Sequence, residues 1–171
     1  MNKNRAAFFD RDGTLIHHVH YLNSLDQVKV LLPAVTVCKL LLDKGFKLFV
    51  VTNQSGIARG QFTEQFVDQT HALVTELFAE HGITFEKFYV CPHHPAATNA
   101  LYKKVCACRK PSPGMLLQAA QEFNLDLTQS LMFGDLPTDL AAGRQAGCTS
   151  FDIVPFLSLS ASECDTLLKD V

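Results

Sequence analysis

The sequence of 171 residues has no marked excess of charge of either sign. Lysine and arginine together number 15, aspartate and glutamate number 17, and the net charge is −2. A bulk electrostatic affinity for nucleic acids or anionic membranes is therefore not indicated. No apolar run approaches the roughly 20 residues that a membrane span needs, and the start lacks the apolar region of a signal peptide. We expect a cytoplasmic protein that contacts neither nucleic acid nor membrane.

The chain also lacks internal repeats, low-complexity tracts and any linker long enough to separate two domains. This length suits one domain, which we place over residues 1–171 and expect to be a monomer. Apolar runs typical of strands alternate with helical patterns. The predicted strands are 6–9, 47–51, 88–90, 131–133 and 151–154, and the predicted helices are 33–44, 63–81, 113–123, 138–146 and 160–169. This alternation predicts an α/β fold with a mostly parallel sheet.

Polar residues follow four of the predicted strands, at the point where each strand ends. They are Asp10-Arg11-Asp12, Thr52-Asn53-Gln54-Ser55, Cys91-Pro92-His93-His94 and Gly134-Asp135. Ligands of open parallel sheets bind at the carboxyl ends of the strands. The sequence therefore places all of its candidate functional groups at one edge of the sheet.

Two carboxylates, Asp10 and Asp12, lie two residues apart at the end of the first strand. Gly13 permits the turn that would direct both into one crevice. Like charges this close raise the pKa of one of them unless a cation intervenes. Mg²⁺ is a suitable cation, and Asp135 could supply a third oxygen ligand. A turn with two solvated acids is the alternative for an isolated pair, but the strand and the other motifs favour the metal site.

Three of the six cysteines are concentrated in a loop over about 91–110 together with histidines. A reducing cytosol makes disulfides improbable. Three thiolates and one imidazole form a closed tetrahedral zinc site of the structural kind. The predicted ligands are Cys91, His93, Cys106 and Cys108. His94 is the competing imidazole.

The strand-end motifs together resemble the haloacid dehalogenase-like (HAD) phosphatase superfamily. The matching elements are Asp10-Arg11-Asp12-Gly13-Thr14, Thr52, Lys110 and Gly134-Asp135 with Asp139. The resemblance implies a Rossmann-like three-layer sandwich. It also implies a phosphoryl transfer in which Asp10 is the nucleophile and Asp12 the general acid and base. Mg²⁺ would be bound by the side chains of Asp10 and Asp135 and by the backbone carbonyl of Asp12. Whether Asp139 contacts Mg²⁺ directly or through water stays open.

The resemblance also implies a small sugar phosphate as the substrate. Lys110 and the Thr52–Arg59 turn offer cationic, hydroxyl and amide groups that suit phosphoryl oxygens. The full set of expected substrate and phosphate ligands is Arg11, Tyr21, Thr52, Asn53, Gln54, Ser55, Arg59, Arg109 and Lys110.

The D-R-D-G-T, T-N-Q-S-G-I-A-R-G and C-P-H-H-P motifs narrow the resemblance to the D-glycero-D-manno-heptose 1,7-bisphosphate phosphatases, which release the C7 phosphate. A chain of 171 residues leaves no room for a separate cap domain, so we expect loops 14–30, 54–62 and 91–110 to shape the pocket. The chain departs from that pattern at His18, Val19 and His20, and at Leu136, where the family tends to have lysine. The alternatives are a histidinol-phosphate phosphatase, a DNA 3′-phosphatase and an inactive zinc-stabilised binding module.

Overall fold

The computed structural model describes residues 4–171. Within this range the strands are β1 (Ala6–Phe9), β2 (Lys47–Asn53), β3 (Lys87–Cys91), β4 (Leu131–Gly134) and β5 (Thr149–Asp152). The helices are α1 (Leu32–Asp43), α2 (Ser55–Ala58), α3 (Glu64–Ala79), α4 (Gly114–Phe123), α5 (Pro137–Ala146) and α6 (Ala161–Leu167). Short 3₁₀ turns lie at Leu25–Gln27, Leu127–Gln129 and Val154–Ser158.

The strands form one parallel sheet in the order β3-β2-β1-β4-β5. The chain builds outward from β1 to β3 on one side, and then crosses back to place β4 on the other side of β1. Such a reversal opens a crevice at the carboxyl ends of the two strands that flank it. The parallel α/β prediction is confirmed, and the crevice lies between the ends of β1 and β4.

Alternate residues of β1 pack into two separate apolar clusters, one on each face of the sheet. Ala7 and Phe9 join the cluster that contains buried residues of α1, α3 and α6. Ala6 and Phe8 join the one that contains buried residues of α4 and α5. Strand β1 is apolar throughout because helices cover both faces of the sheet, as in the predicted three-layer arrangement.

The structure corrects several predicted boundaries. The last strand is 149–152 rather than 151–154, because Thr149 to Asp152 pair with β4 residues 131–134 while Val154 begins a 3₁₀ turn. Helix α2 was not predicted. Thr138 does not cap α5, which begins at Pro137; the carboxylate of Asp139 instead accepts from the Leu136 amide at 3.0 Å. The longest described helix, α3, has 16 residues, and no helix within 4–171 is both long and apolar enough to cross a bilayer.

Candidate active site

The Asp10–Thr14 turn is held against the end of β4 by both backbone and side-chain contacts. The amide of Asp10 donates to the carbonyl of Phe133 at 2.9 Å. Gly13 has φ +85°, and a Cβ atom there would lie 2.5 Å from Oδ2 of Asp135. Glycine is therefore required at this position both for its backbone conformation and for the close approach of Asp135.

Lys110 lies at the centre of the site, with its side chain almost completely buried. Its ammonium group contacts three acceptors, each at 2.7 Å: Oδ1 of Asp10, Oδ1 of Asp139 and the carbonyl of Val51. The three N–H donors of the ammonium group are thus satisfied. The backbone of Lys110 is fixed as well, since the side-chain amide of Asn53 donates to its carbonyl at 3.0 Å and accepts from its amide at 3.1 Å.

Burial dominates the electrostatics of this group. Desolvation raises the pKa of Asp10 to about 7, because the attraction of Lys110 only partly offsets it. Desolvation and then the nearby charge of Asp139 likewise raise the pKa of Asp135. Burial lowers the pKa of Lys110, but its two carboxylate partners outweigh that effect and the net direction is upward. The ammonium group of Lys110 therefore stays charged, but its positive charge is too small to offset the burial of the ionised carboxylates of Asp10 and Asp135.

The carboxylates of Asp10, Asp135 and Asp139 offer oxygen atoms that all lie within 4.8 Å of one another. With Asp12 included, four carboxylates face the two cationic side chains of Arg11 and Lys110. A divalent cation would balance the two remaining negative charges. An all-oxygen donor set is the one that Mg²⁺ prefers, so the residues fit the expected ion.

Asp12 is held separately from Asp10. Arg11 makes a bidentate contact with the carboxylate of Asp12: Nε donates to Oδ2 at 3.1 Å and Nη2 donates to Oδ1 at 3.2 Å. Nε2 of Gln54 also donates to Oδ2, at 2.9 Å, and to the hydroxyl of Thr52 at 2.7 Å. Oδ2 thus accepts two of these hydrogen bonds and Oδ1 accepts one, so Oδ1 is the oxygen with more room to bind a proton or accept a further hydrogen bond.

A cavity of about 300 Å³ opens above these side chains. Of the residues predicted for catalysis, magnesium or substrate, the cavity wall includes Asp10, Arg11, Asp12, Tyr21, Asn53, Gln54, Ser55, Lys110 and Asp135. The wall also contains the positions that depart from the family pattern: His18, Val19, His20 and Leu136. From the loop over 91–110, Lys110 is the one described residue that lines the cavity.

Three predicted substrate ligands lie outside the cavity wall as the described residues define it. Thr52 is buried beneath it, bound to Gln54. Arg59 is exposed and contacts Nε2 of His94 at 3.2 Å, and Nη1 of Arg109 donates to the carbonyl of His93 at 3.1 Å. The two arginines therefore lie beside the cysteine–histidine loop rather than over Asp10.

The four predicted zinc ligands converge on one point, with ligand atoms within 4.8 Å of one another. The sulfur atoms of Cys91, Cys106 and Cys108 lie 3.2–3.5 Å apart, and Nδ1 of His93 lies 3.4 Å and 3.8 Å from two of them. A tetrahedron with bonds of about 2.3 Å has edges of about 3.8 Å, which these separations approach. Burial raises the pKa of the Cys91 thiol, and a bound cation would favour its thiolate form. No disulfide joins the described cysteines, and the cluster could hold a metal ion such as zinc.

His93 rather than His94 joins the cluster. Nδ1 of His94 accepts from the amide of Ala96 at 3.0 Å, and its Nε2 lies next to Arg59. The one-residue spacing between Cys91 and His93 mirrors that between Cys106 and Cys108 and predicted His93, and in the structure His93 is the imidazole that lies with the three cysteines.

One residue that contacts the Asp10–Thr14 turn, His71 on α3, was not predicted from the sequence. Its Nε2 lies 3.1 Å from Nη1 of Arg11. His71 is one of the buried residues of α3, with Val67, Thr70, Val74 and Phe78. A histidine on the buried face of a helix is the signal that could have pointed to it, since buried polar groups require partners.

A model of the haloacid dehalogenase-like hydrolases matches residues 17–147. The chain belongs to this family. The matched segment contains Thr52, Lys110 and Asp135, and the Asp10–Thr14 turn lies directly before it. The chain is thus a HAD-family phosphatase, a phosphoric monoester hydrolase.

Named relatives are similar over most of the chain. A D-glycero-beta-D-manno-heptose-1,7-bisphosphate 7-phosphatase of Yersinia pestis is 44% identical over 142 residues, covering 82% of this chain and 75% of that protein. The enzyme of the same name from Haemophilus influenzae is 45% identical over 141 residues, covering 82% and 76%. The crystal structure of D,D-heptose 1,7-bisphosphate phosphatase from B. bronchiseptica, complexed with magnesium and phosphate, aligns with a TM-score of 0.80 at 27% identity, covering 98% of this chain and 99% of that one.

Proposed function

We propose that this enzyme hydrolyses the C7 phosphate of D-glycero-β-D-manno-heptose 1,7-bisphosphate, with Mg²⁺ at the catalytic site and Zn²⁺ in the cysteine–histidine loop. The observation that carries the proposal is the 44–45% identity to relatives of that name, together with the intact Asp10, Lys110 and Asp135 group. A relative named for the α-anomer is 35% identical, which favours the β-anomer here.

In the first half-reaction, Oδ2 of the Asp10 carboxylate attacks phosphorus, because Oδ1 is bound by Lys110. As the new bond forms, the bond from phosphorus to the sugar oxygen breaks. Asp12, which takes up a proton when the phosphate dianion binds, donates that proton from Oδ1 to the sugar oxygen, which leaves as the sugar hydroxyl. The products are an aspartyl-phosphate on Asp10, the dephosphorylated sugar and the Asp12 carboxylate.

In the second half-reaction, Asp12 accepts a proton from a water molecule as that water attacks phosphorus. The bond between phosphorus and Asp10 breaks, inorganic phosphate leaves, and both aspartates return to their starting forms. Lys110 stays beside Asp10 throughout and compensates negative charge on the transferring group, as phosphoryl transfer requires.

The two metal sites have different proposed roles. The side chains of Asp10 and Asp135 and the carbonyl of Asp12 would hold Mg²⁺, with Asp139 contacting it directly or through water. When bound, Mg²⁺ supplies charge compensation for the phosphoryl oxygens. The closed Cys₃His set would hold Zn²⁺ as a structural ion that orders the residues next to Lys110 and Arg109.

The rest of the substrate is proposed to extend from the cavity towards the zinc loop. Arg59 and Arg109 lie outside the cavity wall and beside His94 and His93. Two arginines in that position suit the second phosphate of a bisphosphate, since guanidinium groups bind phosphate oxygens in pairs.

Phosphate release from a matched panel of esters tests this proposal. The panel contains both anomers of the heptose 1,7-bisphosphate, heptose 7-phosphate, histidinol phosphate and a short DNA with a 3′-phosphate. The β-bisphosphate should give the highest kcat/KM. Asp10→Asn should lower turnover on every ester by orders of magnitude while leaving the circular dichroism spectrum unchanged. Faster turnover of histidinol phosphate or of DNA would overturn the substrate assignment.

A further inference from the structure

Arg11 is an arginine that solvent barely reaches. Its side chain is 2% exposed, although it borders the cavity wall. Nε and Nη2 are both used on the carboxylate of Asp12. Its remaining terminal nitrogen, Nη1, points away from that carboxylate towards α3 and ends 3.1 Å from Nε2 of His71. Arg11 therefore bridges Asp12 and α3.

The contact determines the form of the histidine. A guanidinium group can only donate, so Nε2 of His71 must be the unprotonated acceptor and the ring proton must lie on Nδ1. The imidazole is also fixed in orientation by stacking on Phe88, with ring centroids 4.5 Å apart and an angle of 29° between the planes.

His71 remains neutral in this position. Its side chain is buried, and protonation would place a second cation against Arg11, with no hydrogen bond or ion pair to a carboxylate among the described residues. Desolvation, and then the charge of Arg11, lower the pKa of His71 to about 3. The imidazole is therefore an acceptor throughout the neutral pH range.

We propose that His71 is a positioning residue for catalysis: it accepts from Arg11 and thereby holds the guanidinium fork that orients Asp12. The inference rests on the proposed role of Asp12 as the general acid. Without the acceptor, Nη1 of Arg11 is left buried and unpaired, and the guanidinium turns to find another partner. The Asp12 carboxyl then loses its fixed orientation towards the leaving oxygen, although no group that touches the substrate has changed.

Two esters separate this role from a purely structural one. A sugar phosphate has a poor leaving group and depends on proton donation, whereas p-nitrophenyl phosphate has a good one and needs little. For His71→Leu, we expect kcat/KM to fall roughly 10- to 100-fold on the best alkyl phosphate of the wild-type enzyme, as for a lost hydrogen bond to a charged group. On p-nitrophenyl phosphate it should fall by less than about threefold. His71→Gln should retain most activity on both, because its Oε1 can accept from Nη1.

Val74→Ala is the matched control, since Val74 is buried on the same helix and its apolar side chain cannot accept a hydrogen bond from Arg11. It should lower stability without separating the two esters. Equal losses on both esters for His71→Leu, or a Gln variant as impaired as the Leu variant, would overturn the proposal.

The tautomer provides a test that does not depend on activity or on any variant folding. Imidazole ¹⁵N spectra of the wild-type protein should show His71 neutral, with Nδ1 protonated and Nε2 not. A proton on Nε2 would contradict the contact with Arg11. The kinetic comparison uses whichever alkyl phosphate the enzyme hydrolyses best, so it tests the role of His71 even if the heptose bisphosphate is not the substrate. A protein inactive on every ester would refute the proposed function, and the spectrum would still test the contact between His71 and Arg11.

Discussion

Replacing Lys110 by methionine tests whether the catalytic carboxylates depend on one buried ammonium group. The substitution keeps an unbranched side chain one atom shorter than lysine and removes all three contacts at 2.7 Å. Asp10 and Asp139 would then be buried without that cation, and the carbonyl of Val51 would lose its side-chain donor. Breaking a buried ion pair from one side costs about 3–5 kcal/mol. We expect a loss of this size in the free energy of unfolding at pH 8, measured by urea denaturation in the presence of a metal chelator.

The loss should also depend on pH in a definite direction. Asp10 has a folded-state pKa of about 7, above the ordinary value of 3.8, so its ionisation destabilises the folded state progressively as the pH rises between these values. Without Lys110 the folded-state pKa of Asp10 rises further, and the penalty continues to grow above pH 7. At pH 5 the carboxyl group is protonated in the variant and needs no partner. The difference between wild-type and Lys110→Met should therefore be smaller at pH 5 than at pH 8.

Lys47→Met is the matched control. Lys47 and Glu86 form an ion pair of nearly the same length, 2.8 Å, but both side chains are 36% exposed. Exposed pairs contribute about 0–1 kcal/mol, so this substitution should have little effect on stability at either pH. The reasoning is refuted if Lys110→Met costs no more than Lys47→Met, or if its cost is the same at pH 5 and pH 8.

Two further predictions concern the loop and the cavity mouth. Cys106→Ser should remove tightly bound zinc and lower activity, because the residues next to Lys110 would no longer be held by the metal site. The control Cys148→Ser should leave the zinc content unchanged. Mass spectrometry of the metal content after dialysis measures zinc in both variants. Leu136, half-exposed in the cavity wall, offers no donor to the substrate from its side chain. Leu136→Lys should raise kcat/KM for the heptose bisphosphate about tenfold or more, by the value of one charge-assisted hydrogen bond, and a flat response would mean that the pocket serves a less polar substrate.

Local patterns in the sequence determined the fold class, the order of the elements and most of the chemistry. An apolar run followed by Asp10 and Asp12 predicts a strand with carboxylates at its end, and the strands do meet at one edge. The pairs Cys91/His93 and Cys106/Cys108 predicted a four-ligand cluster, since ligand spacing within a short loop restricts where the side chains can lie. These features depend on residues close in the chain, whose geometry follows from backbone periodicity.

Contacts between residues that lie far apart in the chain were decided by the tertiary structure alone. Arg11 meets His71 across 60 residues, and Asn53 meets the backbone of Lys110 across 57. The sequence suggested that Arg11 and Asn53 bind substrate. Both line the cavity, and in the folded chain Arg11 also contacts the carboxylate of Asp12, while Asn53 contacts the backbone of Lys110. The spacing of residues along the chain does not show which side chains come into contact when α3 and the residues after β3 pack over the ends of β1 and β2. Those partners are set by burial, which forces each polar group to find an acceptor or donor wherever the packing places one.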